Sequence, residues 1–278
     1  MVLKRLGAFC AIAILPAMAH ASDDAAIKAA VIKAFQAQHG PIRIVKQDLE
    51  NGAVQSTNWS GYAVTGKAFK SVTGSWIEPA ITCNSSSDTE IVAVWAGLDG
   101  YNDSTVEQTG TIAACVNGAV EHLAWWELYP LNAIQVINTI TVHSGDKFSA
   151  SVTYSAKTKK YAMKITDETT GKTFTKRATQ SGTKRASAEF IVEAPCCVSS
   201  NTVYPLPNFG TAVLGKDSTG IANTNDAAEK SHSGGFNTFP SADVFSITMV
   251  NASTSATEAQ PSAPSSDGTS FSVQWVSP

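Results

Sequence analysis

The hydrophobic rhythm of the chain changes near residue 58. Ahead of that point, residues 23–39 carry apolar side chains at Ile27, Val31, Ala34 and Phe35, one face of an α-helix. Asp23 and Asp24 fall in its first turn, and Gly40-Pro41 stops it. Beyond Asn58 the period drops to two. Short alternating runs recur at Val72–Ile77, Ile91–Leu98, Leu123–Tyr129, Val136–Val142, Lys147–Tyr154, Tyr161–Thr166, Ala186–Glu193, Val244–Asn251 and Ser270–Val276. Gly, Ser, Thr, Asn and Asp clusters separate them, and Thr166–Lys172 reads as a hairpin turn. Residues 252–268 read as a long Ser/Thr/Pro/Ala-rich surface loop. The pattern predicts an all-β chain, an antiparallel β-sandwich preceded by one short helix.

Strand parity then sorts side chains by face. With Phe190 and Val192 in the core, Glu189 and Ile191 point the other way. With Val94, Ala96 and Leu98 inside, Trp95, Gly97 and Asp99 lie opposite. With Trp126 and Leu128 inside, Trp125, Glu127 and Tyr129 share the outer face. The predicted outer surface is a groove walled by aromatics and studded with carboxylates, and Gln108 sits on another alternating run. Clustered carboxylates repel, so one or more should bind protons above the ordinary range. A carboxylate beside a neutral amide donor suits general-base attack by water with oxyanion stabilisation.

The N-terminus reads as a leader. Lys4 and Arg5 precede the apolar stretch Leu6–Pro16, and Ala19-His20-Ala21 fits a small-x-small cleavage site. The division is 1–21 as signal peptide, 22–57 as candidate pro-segment with one helix, and 58–278 as the sandwich domain. Export follows, to the extracellular space or periplasm. A net charge of −3 across 278 residues gives no reason to expect a polyanion partner. Five cysteines occur; without Cys10 of the leader, Cys83, Cys115, Cys196 and Cys197 allow three pairings. Structural disulfides are expected rather than a catalytic thiol or zinc. The histidines come with no Gly-x-Ser-x-Gly, and the chain lacks a His-Glu-x-x-His helix and any dinucleotide or phosphate-loop fingerprint.

Five motifs, in order, carry a resemblance: Asn58-Trp59-Ser60-Gly61-Tyr62, Trp95-Ala96-Gly97-Leu98-Asp99-Gly100, Gln108-Thr109-Gly110, Ala124-Trp125-Trp126-Glu127-Leu128-Tyr129-Pro130 and Ala188-Glu189-Phe190-Ile191-Val192-Glu193. Together they resemble the glutamic peptidases, the eqolisins of peptidase family G1. The resemblance implies two curved antiparallel sheets related to the concanavalin-A-like architecture, and acid endopeptidase activity insensitive to pepstatin. It implies Gln108 and Glu189 as the catalytic pair, with Trp95, Asp99, Trp125, Glu127 and Tyr129 binding substrate near it. The implied protein is a monomer acting on polypeptides, with no cofactor, metal, nucleic acid or membrane partner. Ile112 and Leu123 stand where the family usually carries carboxylates, and Leu128 where it carries an aromatic, which implies a milder acid optimum. In a pro-segment, Lys28, Lys33, Arg43 and Lys46 would pair with the acidic groove. The competing expectation is a glycan-binding or glycan-cleaving sandwich in which Glu127 and Glu189 act as acid and nucleophile.

Overall fold

The computed structural model describes residue 26 and residues 28–33, 40–196 and 202–278. The leader and much of the expected helix lie outside the described residues; within it, residues 28–33 are helical. Among the described residues, eighteen strands follow. They are β1 (Ile44–Asp48), β2 (Ala53–Ser56), β3 (Trp59–Thr65), β4 (Ser71–Ile77), β5 (Thr89–Leu98) and β6 (Val106–Val116). Next come β7 (Ala119–Tyr129), β8 (Gln135–Val136), β9 (Lys147–Ser155), β10 (Lys160–Asp167), β11 (Lys172–Ala178) and β12 (Ser187–Glu193). The last six are β13 (Thr211–Gly215), β14 (Asp226–Ala228), β15 (Ser233–Gly234), β16 (Val244–Val250), β17 (Thr257–Pro261) and β18 (Ser270–Trp275).

Pairing resolves these strands into two layers. One runs β1-β2-β16-β3-β12-β5-β6-β7-β8, antiparallel throughout except for β2 against β16. The other runs β11-β10-β9-β4-β13-β18-β17, with β14 and β15 attached at β4. A β16–β17 pairing joins the layers along one edge. The core between them takes Val92, Val94, Ala96 and Leu98 of β5 with Phe190 and Val192 of β12, as parity predicted. Trp76, Phe148, Val152, Met163 and Ile165 meet them from the second layer. Each fully buried side chain of this size contributes roughly 1.5–3 kcal/mol. The Trp76 indole N–H, stranded in that core, donates to the Thr111 hydroxyl at 2.8 Å.

Three sequence expectations change. Of the predicted strand Val136–Val142, the paired stretch is Gln135–Val136; Ile137, Ile140 and Val142 instead plug the core from an irregular segment. The expected loop 252–268 contains β17. The candidate pro-segment 22–57 carries two strands besides its helix, and β2 is built into the sheet beside β16, with Val54 and Ser56 buried. The hairpin at Thr166–Lys172 forms as read, its turn held by Asp167, which accepts the Thr169 amide at 2.9 Å.

Of the open disulfide pairings, Cys83–Cys115 forms, and Cys196 is disulfide-bonded too. The Cys83–Cys115 bridge closes a separation of 32 residues. Replacing both cysteines by serine should lower unfolding free energy by roughly 3–4 kcal/mol on the loop-entropy account, read as a lower denaturant midpoint with a steeper slope, because the unfolded chain expands.

Candidate active site

The site is set by strand register. Across β3, β12, β5, β6 and β7 one row reads Ala63, Glu189, Gly97, Gln108, Glu127. The neighbouring row on the same face reads Gly61, Ile191, Trp95, Gly110, Trp125. Glu189 and Gln108 are thus two strand spacings apart, about 10 Å between backbones. Only Gly97 stands between them, and it has no side chain. A Cβ built there would lie 2.8 Å from Cζ3 of Trp95 and 3.1 Å from Cβ of Gln108. The Trp95 ring thus fills the space over Gly97 that a side chain would take, between the carboxyl and the amide.

On its far side Gln108 donates an Nε2 hydrogen to Glu127 Oε2 at 2.9 Å. That bond fixes the amide, whose Nε2 carries a second N–H. Glu127 thereby holds Gln108 in place. It also lies three strand spacings from Glu189, about 14 Å between backbones, with Gln108 on the strand between.

Trp95 and Trp125 are fully buried and wall the row. Trp95 meets Trp59 edge-on at 5.0 Å and donates its indole N–H to Glu193 Oε2 at 2.8 Å. Tyr129 is partly exposed, and its main-chain oxygen accepts the Gln180 amide. Asp99 departs from parity. Strand β5 ends at Leu98, Asp99 takes φ +68°, and its carboxylate turns to the chain entering β12. It accepts main-chain N–H groups of Lys184, Arg185 and Ala186 at 3.1, 2.8 and 2.6 Å. Asp99 thus anchors the strand that carries Glu189.

Burial sets the acid–base state. Glu189 is pushed well above the usual carboxylate range, mainly by loss of water, with Asp99, Asp103 and Glu107 adding repulsion. The Ser187 hydroxyl on the same face pulls the other way, more strongly than any one of those charges. Glu127 is raised by burial and by Glu193. Behind the row, Glu107 is pushed up to about 10 by burial and then by Asp99 and Asp103, while Asp103 rises to about 6. Glu107, Asp103 and Glu193 took no role in the sequence reading. Glu193 shares the parity of Glu189; Glu107 faces inward, where a carboxylate is not expected.

The predicted open groove is covered. Val31, fully buried, packs with Ala30, Ile32 and Ile42 onto the cluster containing Trp59, Trp95 and Trp125. Tyr101 closes the same face, stacked on Phe245 and receiving a hydrogen bond from Gln47. The cover comes from the segment ahead of β2 and from the turn after β5.

Fold and site together define a β-sandwich with a carboxylate–amide pair on one covered face. Residues 57–275 match the Peptidase A4 family, so the chain belongs to that family, in line with the glutamic peptidase resemblance. Aspergillopepsin-2 of Aspergillus niger is 28% identical over 182 residues, which span 57% of this chain and 62% of that protein, less than two thirds of its length. Scytalido-glutamic peptidase bound to a transition state analog inhibitor superposes with a TM-score of 0.63 at 22% identity, covering 79% of this chain and 98% of that one. The eqolisin SCP-B, in complex with the tripeptide Ala-Ile-His, gives 0.60 at 21%, with the same coverage. Aspergilloglutamic peptidase from Aspergillus niger gives 0.53 at 20%, covering 67% and 99%. At these identities the structures establish the fold.

Gly97→Ala should force the Trp95 ring to shift and lower the unfolding free energy by about 1–3 kcal/mol, the usual cost of overpacking; denaturant unfolding beside near-ultraviolet circular dichroism checks it. Folded Glu107 keeps its proton up to about pH 10, whereas the unfolded residue releases it near 4.5. The native state therefore holds more protons in between, and stability falls as pH rises through that window. Glu107→Gln should leave stability at about pH 4 unchanged and raise it at about pH 8 by a few kcal/mol, measured by denaturant unfolding at both.

Proposed function

We propose that this protein is an exported acid endopeptidase in which Glu189 and Gln108 hydrolyse peptide bonds of polypeptide substrates. The observation that supports this reading is the register that sets Glu189 and Gln108 on one row of one face, with Gly97 between them, in a member of a peptidase family. Ionised Glu189 takes a proton from water as the water oxygen attacks the scissile carbonyl carbon. The free N–H of Gln108 donates to the oxyanion, and Glu127 keeps that amide oriented. Glu189 then delivers the proton to the leaving nitrogen as the C–N bond breaks. No covalent acyl intermediate is required.

The segment ahead of β2 acts in this reading as a removable cover. While it lies on the site, Glu189 is dehydrated and holds a proton, so steric block and loss of the base act together. Removal readmits water, lowers the proton affinity of Glu189 and gives an ionised base in the acid range. Processing must spare β2, because that strand is part of the sandwich. Residues 1–21 serve as the export signal.

The test is digestion of a denatured protein between about pH 3 and 5 with pepstatin present, the range set by ordinary carboxylate titration. Wild type should cleave. Gln108→Ala should lose about 100- to 1,000-fold in kcat, and Glu189→Gln should lose activity to background. Equal cleavage by wild type and both folded variants would overturn the assignment. Acid treatment should also give a mature N-terminus ahead of Ala53, found by mass spectrometry, and Glu189→Gln should not produce it on its own.

A further inference from the structure

Residues 40–43 are held on the covered face largely through their main chain. The Asn58 side chain accepts the Arg43 N–H on Oδ1 at 2.8 Å and donates Nδ2 to the Pro41 carbonyl at 3.3 Å. Between those contacts, Ile42 N–H donates to the Gly100 carbonyl at 3.1 Å. The Arg43 carbonyl accepts the Thr57 N–H at 3.0 Å. Gly40 sits against the Tyr129 ring, where a Cβ would come within 3.4 Å of Cζ. The Ile42 side chain packs on the cluster of Trp59, Trp95 and Tyr101. Recognition of the backbone from two sides, with one apolar side chain against tryptophans, is how an extended peptide is bound.

The recognising groups are built for the task. Asn58 is 1% exposed, and its Oδ1 also accepts the Ser56 hydroxyl at 2.9 Å, which fixes the amide plane. A primary amide offers donor and acceptor side by side, matching a carbonyl and an N–H along a main chain. It also carries no titrating proton, so it works unchanged in acid. Gly100 takes φ +104°, and a Cβ there would meet Val106 at 2.7 Å and Trp59 Cη2 at 3.0 Å. Glycine is thus needed for its carbonyl to face the bound segment.

Resting on the peptidase reading above, we propose that Asn58 and the Gly100 carbonyl form the subsite that reads the substrate main chain, filled by residues 41–43 in the covered form. The substrate class is an extended polypeptide with an apolar side chain at the place of Ile42. Asn58 opens the motif Asn58-Trp59-Ser60-Gly61-Tyr62.

The test uses the full chain after acid treatment, in wild type, Asn58→Ala and Asn58→Asp. Peptide substrates are methylated on one backbone nitrogen at a time. In wild type, one methyl position should raise KM about tenfold with kcat held, the effect of losing one or two neutral hydrogen bonds. Asn58→Ala should raise the parent KM by a similar factor and become indifferent to that methyl. Asn58→Asp should recover KM near pH 3, where the protonated acid both donates and accepts, and lose it as the group ionises above about pH 4. An unchanged parent KM in Asn58→Ala, or methyl penalties identical in both proteins, overturns the subsite. Binding of the Gly40–Lys46 peptide, followed by tryptophan fluorescence, reads the same groups without turnover. Binding at least about tenfold weaker in Asn58→Ala supports the subsite even if no substrate is cleaved, an outcome that would retire the peptidase reading alone. Equal binding in both proteins, or none in wild type, overturns the subsite.

Discussion

The absence of a side chain at Gly97 is the constraint on which the site depends. Neighbouring strands stand about 4.8 Å apart, so residues on alternate strands do not touch unless the position between them is vacant. Register places Glu189, Gly97, Gln108 and Glu127 in one line, and the glycine makes room for the Trp95 ring between the first two side chains. The next row repeats the device, with Gly110 between Trp95 and Trp125. Rigidity follows, because every strand involved is bonded on both sides and a shift by one residue would send the carboxylate into the core.

The second feature is the amount of acid kept out of water. Glu107, Glu127 and Glu189 are all buried and all hold protons above the ordinary range. Three main-chain N–H groups surround the Asp99 carboxylate, which thus anchors the strand of Glu189. Glu107, Glu127 and Glu189 are kept protonated chiefly by burial. Such an arrangement opposes stability at neutral pH and favours it in mild acid.

Much of this was legible from period and parity. Alternation placed Phe190, Val192, Val94, Ala96 and Leu98 in the core because each strand of the site layer has one face against the second layer. The same rule brought Glu189, Glu127, Trp95 and Trp125 to one face. It failed at Asp99, where the strand ends and a positive φ redirects the carboxylate to residues 184–186, far away in sequence. It failed at Val136–Val142 because apolar spacing there serves to plug the core without forming a ladder. The covering of the groove was invisible for a similar reason. Ile42 and Val31 carry no local mark of the tryptophans they meet, and β2 joins the sheet by a parallel pairing to β16 near the other end of the chain.

The central claim is that Gln108, beside Glu189 across Gly97, stabilises charge that exists only in the transition state. The most direct measurement compares two ligands on acid-treated wild type and Gln108→Ala: a peptide with a tetrahedral oxyanion mimic in place of the scissile bond, and the matching ground-state peptide. The account predicts that the variant loses about 100-fold or more in affinity for the mimic and little for the ground-state peptide. Equal losses for both ligands, or none for either, would contradict it.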